Sequence, residues 1–127
     1  ENGLVELWGY QNDMENVLSH ATIVVLPSYR EGFPKILVEA SSCGRAIITT
    51  DVPGCRDAIE KDVTGLLVPV RNARTLAKAV SVLLNDPSLC KKMGIAGRER
   101  AERLFDIKKI VEEHIDIYKQ LSRNNKV

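Results

Sequence analysis

Three short apolar runs punctuate the first half of the chain: Ile23-Val24-Val25-Leu26, Ala46-Ile47-Ile48-Thr49 and Gly65-Leu66-Leu67-Val68. Each is continuous rather than alternating, the pattern of a strand buried on both faces of a parallel sheet. Val5-Glu6-Leu7-Trp8 predicts a further short strand ending at Gly9-Tyr10. Polar punctuation between the runs predicts helices. Asn12 and Asp13 can cap one that runs to about His20, with Glu15 placed for a capping box. Pro34 suits the first position of a second, which continues through Val38 and stops before Gly44. Asp51-Val52-Pro53-Gly54 reads as a turn.

The second half is helical. Leu76, Ala77, Val80, Leu83 and Leu84 make one apolar stripe. Asp86-Pro87 is a cap followed by a first-turn proline, opening a helix towards Leu104. Asp106 then caps a third helix with the stripe Ile107, Ile110, Val111, His114, Tyr118 and Leu121, which makes His114 a core or edge residue. Residues 122–127 are expected to fray. Strands alternating with helices predict an α/β fold: a partial Rossmann-like, mainly parallel sheet flanked by helices, with a helical C-terminal segment. The 127 residues form a single domain.

Composition narrows the function. Eighteen basic residues against 17 acidic ones leave a net charge of +1, too little for a nucleic-acid binder relying on a general positive field. The basic run from Lys91 to Arg103 is interrupted by Glu99 and Glu102 and reads as a solvated helix face. No apolar stretch approaches the roughly 20 residues of a membrane span, and from its Glu1-Asn2-Gly3 start no signal peptide is expected. Cys43, Cys55 and Cys90 are odd in number and widely spaced, as expected of reduced cytosolic thiols. With His20 and His114 far from them in sequence, no metal site is expected.

Ligands of an open parallel sheet bind beyond the carboxyl ends of its strands. After Leu26 the chain reads Pro27-Ser28-Tyr29-Arg30-Glu31-Gly32-Phe33-Pro34-Lys35-Ile36-Leu37-Val38-Glu39-Ala40. Gly32 permits close backbone approach and unusual dihedrals. A helix starting near Pro34 or Lys35 would aim unpaired N–H groups at a diphosphate, with Lys35 adding a point charge. Glu31 precedes that helix, and Glu39, one turn inside it, suits the two hydroxyls of a ribose. Each feature alone also has a purely structural explanation. Lys35 and Glu39 are an i, i+4 surface pair, Glu31 an exposed loop residue, and Gly32 ordinary turn chemistry.

The whole string resembles the C-terminal domain of retaining GT-B-fold glycosyltransferases, the glycosyl transferases group 1 family. That family carries two glutamates separated by seven residues in the context Pro27-Ser28, Glu31-Gly32-Phe33-Pro34 and Glu39-Ala40. The resemblance continues from Gly44 to Asp57, through Gly65-Leu66-Leu67-Val68-Pro69 and Leu76-Ala77, to Met93-Gly94, Arg98 and Phe105. It implies that Glu31 is the catalytic residue at the donor sugar. Backbone amides of Gly32, Phe33, Lys35 and Ile36 would line the sugar and diphosphate, with Pro34 among them but lacking an N–H. Glu39 would hold the ribose and Tyr10 border the base. No metal and no cofactor are implied. The nucleotide diphosphate-sugar, a UDP-sugar by default, is a substrate.

The implied reaction is sugar transfer with retention to a polysaccharide or glycolipid acceptor, in a bacterial-type protein that is cytoplasmic or peripheral at the inner face of the membrane. In the family, two further strand–helix units and an acceptor domain precede the segment matching Val5 to Gly9, and the first unit supplies an Arg and a Lys for the donor phosphates. The chain is therefore expected to be an N-terminally truncated donor-binding domain, inactive alone. Its exposed sheet edge at Ile23–Leu26 would be covered by strand pairing in a dimer or by a displaced Val5–Trp8 strand. Two alternatives remain: a non-transferring relative such as an epimerase, disfavoured by the presence of both glutamates, and a non-catalytic α/β binding module. The latter needs acidic residues where Pro27-Ser28 stands.

Overall fold

The computed structural model describes residues 3–30, 32 and 34–124, the side chain of Phe105 excepted. Along the chain it places α1 (Met14–Ser19), β1 (Ile23–Leu26), α2 (Lys35–Ser42), β2 (Ala46–Thr50), α3 (Pro53–Ala58), β3 (Gly65–Val68), α4 (Ala73–Asn85) and α5 (Pro87–Asn124). The three strands form a parallel sheet in the order β1-β2-β3, with Val24 opposite Ile47 and Ile48 opposite Leu66. Every residue of β2 is buried, as its continuous apolar run predicts for a central strand.

Because side chains alternate along a strand, the two sheet faces build separate cores. Ala46, Ile48 and Val68 pack with Ala79, Leu83, Cys90 and Met93 of α4 and α5. Ile47 packs on the other face with Leu18, Leu37, Ala40, Cys55 and Ile59. The α2–β2 junction is a tight C-cap. Gly44 takes a φ of 72°, its amide donates to Ser41 O at 3.0 Å, and the Arg45 amide donates to Ala40 O at 3.0 Å. That pair of bonds is a Schellman motif, which glycine enters without steric cost.

Several expectations are corrected. Val5–Trp8 is not a strand and does not cover β1. Val5 and Leu7 are 82% and 95% exposed, and the Trp8 indole N–H and carbonyl are engaged locally by Glu6 and Gln11. A strand needs a neighbour to take its backbone hydrogen bonds. Asp13 alone caps α1, accepting from the Asn16 amide at 3.1 Å. Glu15 then falls one position short of the capping-box site, which Asn16 occupies. The Asp51–Gly54 turn opens a six-residue helix with Pro53 in its first turn.

On α4 the inward residues are Leu76, Ala79, Val80 and Leu83, while Ala77 and Leu84 face outward. The buried stripe is thus narrower than expected and shifted onto Ala79. The expected second and third helices are one, 38 residues long. Asp86 caps it as predicted, accepting from the Leu89 amide at 3.0 Å. Asp106 lies inside it, where an Asp costs only about 0.7 kcal/mol relative to Ala. From Leu104 on, the apolar stripe faces outward: Ile107, Ile110, Val111, Tyr118 and Leu121 are exposed, and so is His114, which is not a core residue. The helix continues to Asn124, and residues 125–127 of the tail expected to fray lie outside the described set.

Candidate functional site

The carboxyl end of β2 holds the chain as it leaves β1. Thr49 Oγ1 donates to Leu26 O at 2.8 Å, and Thr50 Oγ1 donates to Ser28 O. Pro34 follows as the N-cap of α2, one position earlier than predicted. Its ψ of 81° is outside the helical range. Among the described residues no side chain caps the start of the helix, and its first backbone bond runs from the Leu37 amide to Pro34 O at 2.9 Å. The amides of Lys35 and Ile36 therefore lie ahead of the helix's own ladder, at its partially positive end.

Those two residues open onto a cleft of about 970 Å³ between the Gly9–Glu15 segment and α2. Tyr10, Lys35, Ile36 and Glu39 line it together, with Gln11, Asp13, Glu15, Ser42 and Cys43 completing the wall. Gly9 turns the chain at a φ of 63° so that Tyr10 reaches this rim. Lys35 is the one cation among the described lining residues. Its Nζ lies 3.7 Å from Glu39 Oε1, and the two side chains are 82% and 33% exposed. An exposed pair of that kind, with Lys preceding Glu, contributes a few tenths of a kcal/mol. Glu39 is therefore half-buried, only weakly engaged and open to the cleft. Cys43 beside it has its thiol pKa raised, first by partial burial, then by Glu15 and Glu39, against the opposing pull of Arg45 and Arg98.

Gly32 and Pro34 face elsewhere, lining a second hollow of about 480 Å³ between α2, α3 and α5. Arg100 lines that hollow and donates to Ala58 O at 3.0 Å and Asp57 O at 3.1 Å. A side-chain Cβ at Gly32 would meet nothing within 4 Å. Glu31, the expected catalytic residue, and Phe33 lie outside the described residues.

Three features escaped the sequence reading. Cys43 and Ser42 belong to the cleft wall, although the i, i+3, i+4 spacing from Glu39 would have placed them there. Arg45 donates to Ala21 O at 3.1 Å and Cys43 O at 3.2 Å, clasping the α1–β1 and α2–β2 turns. Arg71 stacks on Tyr29, its guanidinium carbon 5.2 Å from the ring centroid, a contact across 42 residues that no local pattern signals.

The family model for "Glycosyl transferases group 1" matches residues 2–100. The chain belongs to this family. Among family relatives, the N,N'-diacetylbacillosaminyl-diphospho-undecaprenol alpha-1,3-N-acetylgalactosaminyltransferase of Campylobacter jejuni is 34% identical over 97% of this chain, which covers 32% of that protein. The capsular polysaccharide biosynthesis glycosyltransferase CapM of Staphylococcus aureus is 31% identical over 93% of this chain and 31% of its own length. The chain thus spans about a third of the length of the curated relatives it matches.

Among solved structures, sucrose-phosphate synthase from Thermosynechococcus elongatus superposes with a TM-score of 0.74 at 36% identity, over 86% of this chain and 27% of that one. HepE of Anabaena, solved with UDP and glucose, superposes with a TM-score of 0.83 over 94% of this chain and 33% of its own. At 20% identity that match speaks for the fold alone. The α/β architecture with a parallel sheet and a helical C-terminal segment is therefore that of the family.

Proposed function

We propose that this chain is the donor-binding part of a retaining glycosyltransferase that moves a sugar from a UDP-sugar to a glycan or lipid-linked acceptor. The observation that carries this reading is the convergence on one cleft of Glu39 with Lys35 and Ile36, the first two residues of α2, and with Tyr10 at the rim. The amides supply donors for a diphosphate. The half-buried carboxylate supplies acceptors for vicinal hydroxyls. The tyrosine supplies a flat face for a base.

As the sugar–phosphate bond breaks, negative charge grows on the leaving β-phosphate, and fixed amide dipoles stabilise charge that develops in the transition state. Glu31, eight residues before Glu39 in sequence, is assigned to the donor-sugar hydroxyls. The Campylobacter relative, named for a diphospho-undecaprenol substrate, supports a lipid-linked acceptor, and work on such an acceptor would be done at a membrane surface. Among the described residues no helix is long and apolar enough to cross a membrane.

A panel of nucleoside diphosphates followed by thermal unfolding tests the reading, because a ligand that binds only the folded state raises its stability. UDP is expected to raise the midpoint and uridine to leave it in place. A panel without any shift, at concentrations up to the millimolar range, would overturn the donor-site assignment.

A further inference from the structure

β3 leads into α4 through Arg71, which adopts a φ of 56°. An L-residue with a branched or long side chain is disfavoured in this left-handed region, because its Cβ crowds the following carbonyl. Glycine would sit there freely. The arginine gains one visible contact from the arrangement, the stacking of its guanidinium over Tyr29 at 5.2 Å, within the range of a cation–π interaction.

Tyr29 belongs to the segment between β1 and α2, two residues before Glu31 in sequence. Pro27, Thr50, Pro69 and Asn72 line the same hollow of about 540 Å³ as the stacked pair, at the carboxyl ends of all three strands. Both partners are exposed, Tyr29 by 66%, so the contact buries little surface and adds little to the stability of the core. It does tie one loop at the mouth of the sheet to another. Thr50 fixes Ser28 from one side; Arg71 fixes Tyr29 from the other.

We propose that Arg71 is a positioning residue for the donor loop. Its guanidinium clamps Tyr29 and so restricts the backbone that leads to Glu31 and the amide end of α2. The proposal rests on the donor-site reading above. A residue held in a sparsely populated conformation at such a mouth is the usual place for strain to serve function.

The two sources of effect, strain and stacking, separate by substitution. Arg71→Gly removes both, so its thermal midpoint should equal or exceed that of the parent chain. Amide hydrogen exchange at Ser28, Tyr29 and Arg30 should nevertheless accelerate, and UDP affinity should fall about two- to five-fold, the worth of an exposed cation–π contact. Arg71→Lys keeps a cation and should recover most of both losses. Tyr29→Leu loses the stacking but keeps the strained backbone at Arg71, so it should match Arg71→Gly in exchange and affinity but not in thermal midpoint. Tyr29→Phe should behave like the parent, and the double variant Arg71→Gly/Tyr29→Leu should bind UDP no worse than either single.

Unchanged exchange at Ser28 to Arg30 in Arg71→Gly overturns the proposal. So does a loss of affinity accompanied by an equal loss in every variant, the lysine and phenylalanine ones included. If the parent chain binds no nucleoside diphosphate, the donor-site reading fails, and the exchange rates still decide whether Arg71 holds the loop.

Discussion

Gly94 of α5 rests against the backbone of Gly44. A Cβ at Gly94 would lie 3.0 Å from the Gly44 carbonyl carbon, with the carbonyl oxygen nearer still. The helix can approach the α2–β2 turn this closely only because the position lacks a side chain. In an open helix interior, Gly→Ala stabilises by up to about 1 kcal/mol. At Gly94 the sign should invert, with a loss of about 1–3 kcal/mol from forced backbone displacement. Gly97 is the control, since a Cβ there meets Ser41 at an ordinary 3.8 Å. Urea unfolding of both variants checks the pair. A Gly94→Ala midpoint equal to or above the parent's would contradict the close approach.

Glu39 is assigned to ribose hydroxyls, and the ligand can be edited as readily as the protein. Hydrogen bonds to a charged acceptor contribute about 1.5–3 kcal/mol, so Glu39→Ala should weaken UDP binding roughly ten- to hundred-fold. The 2′-deoxy analogue should bind the parent more weakly than UDP does, while Glu39→Ala should discriminate little between the two. Full additivity of the two changes in calorimetry would remove Glu39 from the ribose.

Cys43 provides a pH-dependent reporter of the same cleft. Its thiol pKa is raised in the fold, first by burial and then by Glu15 and Glu39. The unfolded thiol therefore loses its proton at lower pH than the folded one. Stability from this group is complete at neutral pH and declines as pH rises through the ordinary thiol value of about 8.5 towards the higher folded value. Alkylation by iodoacetamide should be slow at neutral pH, accelerate only above that ordinary value, and slow again when UDP occupies the cleft. Cys55 and Cys90, both buried, should react only on unfolding. Rapid alkylation of Cys43 at neutral pH would contradict the assigned shift.

The two acidic residues at the start of α1 should behave differently. Asp13→Ala removes the cap on Asn16 and should cost about 1 kcal/mol. Glu15→Ala removes no such bond and should leave stability within about 0.5 kcal/mol, while lowering the pKa of Cys43, which Glu15 helps to raise. Denaturant midpoints and an alkylation profile on the two variants separate these effects. Equal losses of stability would restore a capping role to Glu15.

The sheet was legible because uninterrupted apolar runs mark its strands at Ile23–Leu26, Ala46–Thr50 and Gly65–Val68. Burial on both faces nevertheless holds only for β2: β3 is partly covered, and β1 has no buried residue and exposes Val25. α3 was hidden. At six residues it is too short for a helical period to register, and Pro53-Gly54 satisfies turn chemistry as well as a helix start. Val5–Trp8 carries strand composition, but strand formation depends on a partner that composition does not specify. The division of α5 at Asp106 failed because an aspartate that can cap a helix can also sit inside one. At the site, physical chemistry pointed to an anion-binding helix end, and the resemblance assigned roles to Glu39 and Tyr10, which the fold brings to one cleft. The Arg71–Tyr29 contact had no sequence signature, since neither a left-handed arginine nor a pairing over 42 residues leaves a local pattern.

The long C-terminal helix carries a further consequence. Its first part is anchored by Cys90, Met93 and the Gly94–Gly44 approach, whereas Ile107, Ile110, Val111, Ile115, Ile117, Tyr118 and Leu121 face outward. A lone helical stretch of about 20 residues is marginal in water, so a single unbroken rod should melt in two stages. Warming this chain would shorten α5 from its far end, with helical signal lost before any of the sheet's protection. The same 38 residues would thus belong to two thermodynamic units, divided where the buried anchors give way to the outward-facing apolar residues from Ile107 on.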